Sequence, residues 1–139
     1  MSEPRPIEQY RVGDRVTARR RFTDEDVRRF AELSGDFNEL HVDDAAAARS
    51  RFGRRLVHGM LTASLFTRLL GMELPGRGTI YMSQTLRFTA PVYIGDEVEA
   101  VVEVVAVDIP RRRLTLSTTC QNERGQQVVV GEAIVMVDE

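Results

Sequence analysis

In the stretch SGDFNELHVDD, residues 34–44, Asp36 and His41 stand five positions apart, with Asn38 and Glu39 between them. A carboxylate and an imidazole that converge on one water molecule form a general acid/base pair: the carboxylate accepts a proton, and imidazole titrates near enough to neutrality to donate one. On a continuous helix this spacing would turn the two side chains about 140° apart, so the pair requires an irregular loop. A second cluster, LVHGML at 56–61, sets His58 and Gly59 at the head of an apolar run. Where a helix begins, the first N–H groups have no internal acceptor, and with the helix dipole they can stabilise an oxyanion. Gly59 allows a substrate carbonyl to approach that backbone closely. Each residue also has a purely structural use. Asp36 can serve a turn or cap the next helix, His41 can pack half-buried, Gly59 can be a close contact of helix and sheet, and His58 can orient a neighbour or flank the cap. A metal reading of His41, Asp43, Asp44 and His58 matches no specific ligand spacing, so no metal is expected.

Helices and a sheet must position these groups. FTDEDVRRFAELSG predicts a helix with Thr23 as N-cap, Asp26 completing a capping box and Phe22 stapled onto Val27. Val27, Phe30, Ala31 and Ser34 share one face, and Gly35 supplies the stop. Asp43 or Asp44 can cap a short helix through DAAAARS. A third helix, from about His58 to Leu70, spreads Met60, Leu61, Ala63, Leu65, Phe66, Leu69 and Leu70 around most of its circumference, which predicts burial on all sides. Beyond Gly78 the period changes to two. Strands are expected in TIYMSQTLRFTA, EVEAVVEVVAVD, RLTLSTTCQN and QVVVGEAIVMVD, with DRVTARRRF as a further one near the N-terminus. Short turns between them argue antiparallel neighbours. One buried helix and a long antiparallel sheet predict an α+β domain whose sheet curls around the helix, the hot-dog arrangement. Such a sheet leaves a strand edge to cover, and a two-fold homodimer would cover it.

The chain's 139 residues, 42% of them apolar, suit one domain over 1–139, with 1–10 as a loosely ordered leading segment. A net charge of -2 offers no basic excess for nucleic acid or an anionic membrane. The lone Cys120 cannot form an internal disulfide and reads as a small core residue in a reducing compartment. The polar, Pro-containing start lacks an apolar signal region, and the stretch from Leu56 to Leu70 is polar-interrupted and shorter than the roughly 20 residues of a bilayer span. A cytoplasmic protein is expected.

Taken together, SGDFNELH, HVDDAAAARSRFGRRLVHGMLTASLF and GMELPGRGTIYMSQTLRFTAPVYIGDEV resemble the MaoC-like (R)-specific enoyl-CoA hydratases in their short, single hot-dog form, from about Arg11 to Val137. The resemblance implies that Asp36 and His41 hold the water to be added and that the Gly59 N–H binds the thioester oxygen. It makes Asn38 a brace for the loop or for His41. His58, and Thr62, Thr67 and Leu70 on the side of the central helix expected to face the acyl tail, complete the expected substrate contacts. The family often carries Pro where this chain has Glu39, and Ser where it has Thr67; the added methyl beside Leu70 leads to an expectation of short to medium acyl chains. The implied reaction is reversible hydration of a trans-2-enoyl thioester of coenzyme A or acyl carrier protein, without metal or redox cofactor. A hot-dog thioesterase is the rival reading, yet its carboxylate usually lies on the central helix, and residues 60–70 contain none. A non-catalytic acyl-thioester binding module would leave Asp36 and His41 without a task. Arg51, Arg54, Arg55 and the run 111–113 read as solvated basic surface or as contacts to coenzyme A phosphates.

Overall fold

A computed structural model describes residues 4–138. Its sheet is antiparallel, in the order β1 (Arg15–Arg21), β4 (Glu97–Asp108), β5 (Arg113–Asn122), β6 (Gln127–Val137) and β2 (Thr79–Gln84), with β3 (Arg87–Phe88) paired to β6. Alternation in β4 and β5 turns Val98, Ala100, Val102, Val104, Leu114, Leu116 and Cys120 to one face, all completely buried. The helix α4 (Gly59–Met72) packs on that face and touches β1, β2, β4, β5 and β6. A helix touched by strands from both ends of the sheet order is wrapped by it. This is the hot-dog fold.

Wrapping is incomplete. Thr62, Ala63, Leu65, Phe66, Leu69 and Leu70 of α4 are buried, but Met60, Thr67 and Arg68 are exposed. The expected all-round burial therefore fails along one stripe, because a single curled sheet covers only one side of the helix. The segment 1–10 also departs from expectation. A 3-10 turn at Ile7–Gln9 carries Ile7, and Tyr10 follows it; both side chains are within 2% of complete burial and anchor the segment to the core. Residues 1–3 of that expectation lie outside the described residues.

The single strand expected over 79–90 is interrupted. Thr85 Oγ1 accepts the Glu132 N–H at 3.0 Å, and the Thr85 carbonyl occupies space that a side chain on Gly131 would fill. β2 and β3 therefore pair with separate stretches of β6. The two sheet edges differ in chemistry. β1 is studded with cross-strand ion pairs, Arg19 with Glu99 at 3.0 Å and Arg21 with Glu97 at 3.2 Å. β2 exposes Ile80, Tyr81 and Met82.

Candidate active site

The chain reaches the site through a relay of local hydrogen bonds. Helix α1 (Asp24–Ser34) begins with the expected Thr23/Asp26 capping box and ends at Gly35, whose φ of 81° only glycine adopts without strain. The Asp36 N–H then donates to Ser34 Oγ at 3.1 Å, the Asn38 N–H to Asp36 Oδ1 at 3.1 Å, and the Leu40 N–H to Asn38 Oδ1 at 2.9 Å. Asn38 is thus a brace: it is the N-cap of α2 (Glu39–Val42), a four-residue turn that carries His41. The irregular loop expected around both residues covers only Asp36, and His41 sits on a helical turn. Asp43 then caps α3 (Asp44–Ala48) by accepting the Ala46 N–H at 3.1 Å.

His41 and Asp36 do converge. The Leu56 carbonyl lies 2.8 Å from His41 Nδ1. A carbonyl can only accept, which places a proton on Nδ1 and leaves Nε2 to face Asp36 Oδ2 at 3.9 Å. That separation is too long for a direct hydrogen bond, yet one oxygen at about 2.8 Å from both atoms fits with an angle near 90°. The separation matches two hydrogen bonds to one shared water oxygen.

His58 supports both partners. Its Nε2–H donates to the Asp36 carbonyl at 3.0 Å, and its ring stacks on His41 at 3.9 Å and 22° between planes. The Phe30 ring meets it edge-on at 4.9 Å. Burial pushes the His58 pKa below its ordinary value of 6.5, partly opposed by the hydrogen bond to Asp36. His58 is therefore held neutral beside His41. Ligand atoms of Asp36, His41 and His58 come within 4.8 Å of one another. Two nearly parallel stacked rings aim their in-plane lone pairs side by side, not at one point, so this geometry does not make a metal centre.

These groups open onto a cleft of about 580 Å³ whose lining is mostly apolar, including Phe30, Phe52, Leu56, Phe88, Pro91, Val92, Val128 and Val129. Gly59, the first residue of α4, lines it too, and the His58 side chain makes no capping bond, so the helix start presents unsatisfied N–H groups there. A Cβ on Gly59 would lie 2.7 Å from the Phe88 ring. Close packing of Gly59 against Phe88, one of the two uses read from the sequence, is present, and the same residue lines the cleft.

Of the residues expected to meet substrate, Asp36, His41, His58, Gly59 and Thr62 line the cleft, whereas Asn38, Thr67 and Leu70 do not. Leu70 is completely buried in the core, about 12 Å along the helix from Thr62. Thr67, turned about 140° from Thr62, borders a separate depression with Met60, Tyr81 and Leu86. The apolar wall of the cleft comes instead from 88–92 and from Val128 and Val129. Arg54 and Arg51 lie over the rings of Tyr93 and Phe52 at 4.0 and 5.4 Å, and Arg111 is tied to Asp108 at 3.1 Å in the β4–β5 turn. Arg55 is buried, with its guanidinium facing Asp24 and Asp44, and is not solvated surface.

An Asp–His pair and an uncapped helix start, facing one apolar cleft of a hot-dog domain, define a class of hot-dog protein with its chemistry at the head of the central helix. The sequence matches the family described as "MaoC like domain" over residues 8–125, and the chain belongs to that family. The (R)-specific enoyl-CoA hydratase of Aeromonas caviae is 49% identical over 124 residues, covering 89% of this chain and 92% of that protein. The 3-hydroxybutyryl-CoA dehydratase of Methylorubrum extorquens is 46% identical over 132 residues, covering 94% and 83%. The solved structure of the (R)-hydratase from A. caviae involved in PHA biosynthesis superposes with a TM-score of 0.92 at 47% identity, covering 94% of this chain and 98% of that one.

Proposed function

We propose that this protein is a hydro-lyase that adds water reversibly to trans-2-enoyl-CoA thioesters, giving (R)-3-hydroxyacyl-CoA. The observation that carries the proposal is the Asp36–His41 pair, spaced at 3.9 Å for one water, beside the open start of α4. Attack of the water oxygen on C3 forms the C–O bond, and the alkene electrons move through C2 onto the thioester oxygen. The Gly59 N–H and the helix dipole stabilise that charge. The charge returns to C2 as C2 takes a proton. The step starts with Asp36 ionised and His41 carrying a proton on each nitrogen: Asp36 accepts one proton from the water and His41 Nε2 delivers its proton to C2, so the pair ends with the number of protons it began with. Because Nδ1 is committed to the Leu56 carbonyl, Nε2 is the nitrogen that moves the proton. Both act from the same face of the alkene. No step calls for a metal or redox cofactor.

Consumption of enoyl-CoA esters of graded acyl length, followed by loss of their conjugated absorbance, tests this reading directly. Hydration without release of free thiol is expected; thiol release without hydration would mark a thioesterase, and neither a mere binder. Helix α4 carries no carboxylate to serve a thioesterase.

The functional unit is a homodimer. What supports this is the apolar edge of β2, with Ile80, Tyr81 and Met82 exposed, next to the bare Met60 stripe of α4. An edge of that composition needs a partner. Sedimentation and turnover per protomer across a dilution series check it: activity should fall as the dimer dissociates, and a fully active monomer refutes a site shared between chains. Cytoplasmic residence is part of the proposal and is supported by the unpaired, buried Cys120; among the described residues no helix is long and apolar enough to cross a membrane.

A further inference from the structure

The turn that carries His41 is too short to hold itself. Helix α2 has four residues, so beyond the Glu39 carbonyl, which accepts the Asp43 N–H at 3.0 Å, its carbonyls lack the intrahelical donors that a longer helix would supply. Its position is set from outside, by residues 55 and 56. The Leu56 N–H donates to the Leu40 carbonyl at 3.0 Å, the His41 Nδ1–H to the Leu56 carbonyl at 2.8 Å, and Arg55 Nε–H to the His41 carbonyl at 2.6 Å. The bracing segment is fixed in turn, since the Val57 N–H donates to Val92 O at 2.8 Å and the Ile94 N–H to Arg55 O at 3.3 Å.

Arg55 adds to this lashing something that a main-chain bond cannot. Its side chain is only 7% exposed, and its other two nitrogens face carboxylates: Nη2 lies 2.6 Å from Asp24 Oδ1 and Nη1 3.6 Å from Asp44 Oδ1. The Asp24 contact is off the N–H axis, so it acts as a charge contact and not as an aligned hydrogen bond. Arg55 is nevertheless the first cause that holds the Asp24 carboxyl below its usual range. One guanidinium therefore ties the first turns of α1 and α3 to the backbone of the residue between them that does the chemistry. A planar fork can reach three partners at once; an ammonium cannot.

We infer that Arg55 is a positioning residue for catalysis: it clamps the His41 main chain between α1 and α3 and so fixes Nε2 against Asp36 and the water. The inference rests on the hydratase reading. Arg55 touches no reacting atom, and its effect must pass through His41. A looser α2 widens the distribution of the Nε2 position, and displacements on the order of 1 Å can cost about a hundredfold in rate. Substrate binding, governed by the apolar cleft and the start of α4, is left in place.

A double-mutant cycle between Arg55→Met and His41→Ala tests this, with kcat and KM measured at saturating enoyl-CoA and circular dichroism as the check on folding. Arg55→Met is expected to lower kcat at least about tenfold with KM within about twofold, and to cost less than about twofold in the His41→Ala background, where the group it positions is gone. Arg55→Lys keeps the charge and the fold and is expected to fall between, retaining the Asp24 contact but losing the simultaneous bond to His41. If Arg55→Met fails to fold, the cycle is run with Arg55→Lys, on the same criterion. An equal loss in both backgrounds, or an unchanged kcat, overturns the inference. Full activity in His41→Ala alone would instead overturn the hydratase reading on which it rests.

Discussion

Replacing Gly59 by Ala separates the packing of this glycine from the oxyanion role proposed for it. The new methyl would lie 2.7 and 2.8 Å from Phe88 Cε1 and Cδ1, well inside contact distance. What must move is the end of a side chain that is already 52% exposed, and no backbone stands in the way. Half of a full aromatic burial is on the order of 1 kcal/mol. Alanine returns up to about 1 kcal/mol through helix propensity at a position with ordinary helical backbone. The two nearly cancel, so the melting temperature should change by no more than about 5 °C. Activity is governed by a different quantity. The methyl stands where the thioester oxygen must reach the first N–H groups of α4, and loss of one oxyanion donor typically costs about 100- to 1,000-fold in turnover. Turnover is read from the decrease in enoyl-thioester absorbance with substrate saturating, in Gly59→Ala, Phe88→Ala and the double variant. In the Phe88→Ala background the clash is gone but the obstruction of the N–H remains, so Gly59→Ala should still cost about a hundredfold there. If that cost shrinks below about threefold, Gly59 is a packing glycine and the oxyanion argument is wrong.

Other expectations follow from the same geometry. Asp36→Asn and His41→Ala should each lower hydration turnover by about a hundredfold or more while circular dichroism stays unchanged, and near-normal turnover in either variant removes that residue from the mechanism. Burial lowers the His58 pKa from 6.5, so below about pH 6.5 the unfolded chain binds a proton that the folded chain resists, and stability falls as the pH drops. His58→Gln keeps a donor for the Asp36 carbonyl and removes this titration; its urea midpoint should decline less between about pH 7 and 5 than that of the parent, and equal slopes would refute the burial argument. The Cys120 thiol, completely buried and with its pKa pushed up to about 12, should resist a thiol reagent in the native protein and react only at the rate of opening. Rapid native labelling would show that the core face of β5 is accessible.

The parts of the fold legible in the sequence were those set by local rules. The Thr23/Asp26 box, the Gly35 stop and the Asp43 cap are each decided within four residues, and all three form as expected. The strand pattern of β4 and β5 was likewise legible, because alternation reports a face without naming the partner. What could not be read depended on residues far apart in sequence. The break between β2 and β3 exists because Gly131, nearly fifty positions on, lets the Thr85 carbonyl approach β6. The exposed stripe of α4 reflects how far the sheet curls, and helix composition reports only that most of it is apolar.

The site divides in the same way, and the division explains why its chemistry was easier to read than its specificity. Asp36, His41 and Gly59 lie within one stretch of chain, and their placement follows from caps and turns that the intervening residues specify. The wall of the cleft has no such continuity. Phe30 comes from α1, Phe88 to Val92 from the end of β3 and the segment that follows it, and Val128 with Val129 from the start of β6. Helical periodicity pointed down α4 from Thr62 toward Leu70, but a helix face continues into the core as readily as into a cavity, and here it enters the core. Arg55 is the clearest case. In sequence it is one of four arginines between 49 and 55 and reads as solvated surface. It becomes the buried clamp on His41 only because Asp24 and Asp44, on two different helices, close around it. Charge partners that make burial of an arginine tolerable are a property of the fold, so the residue that holds the catalytic turn in place carries no local signature at all.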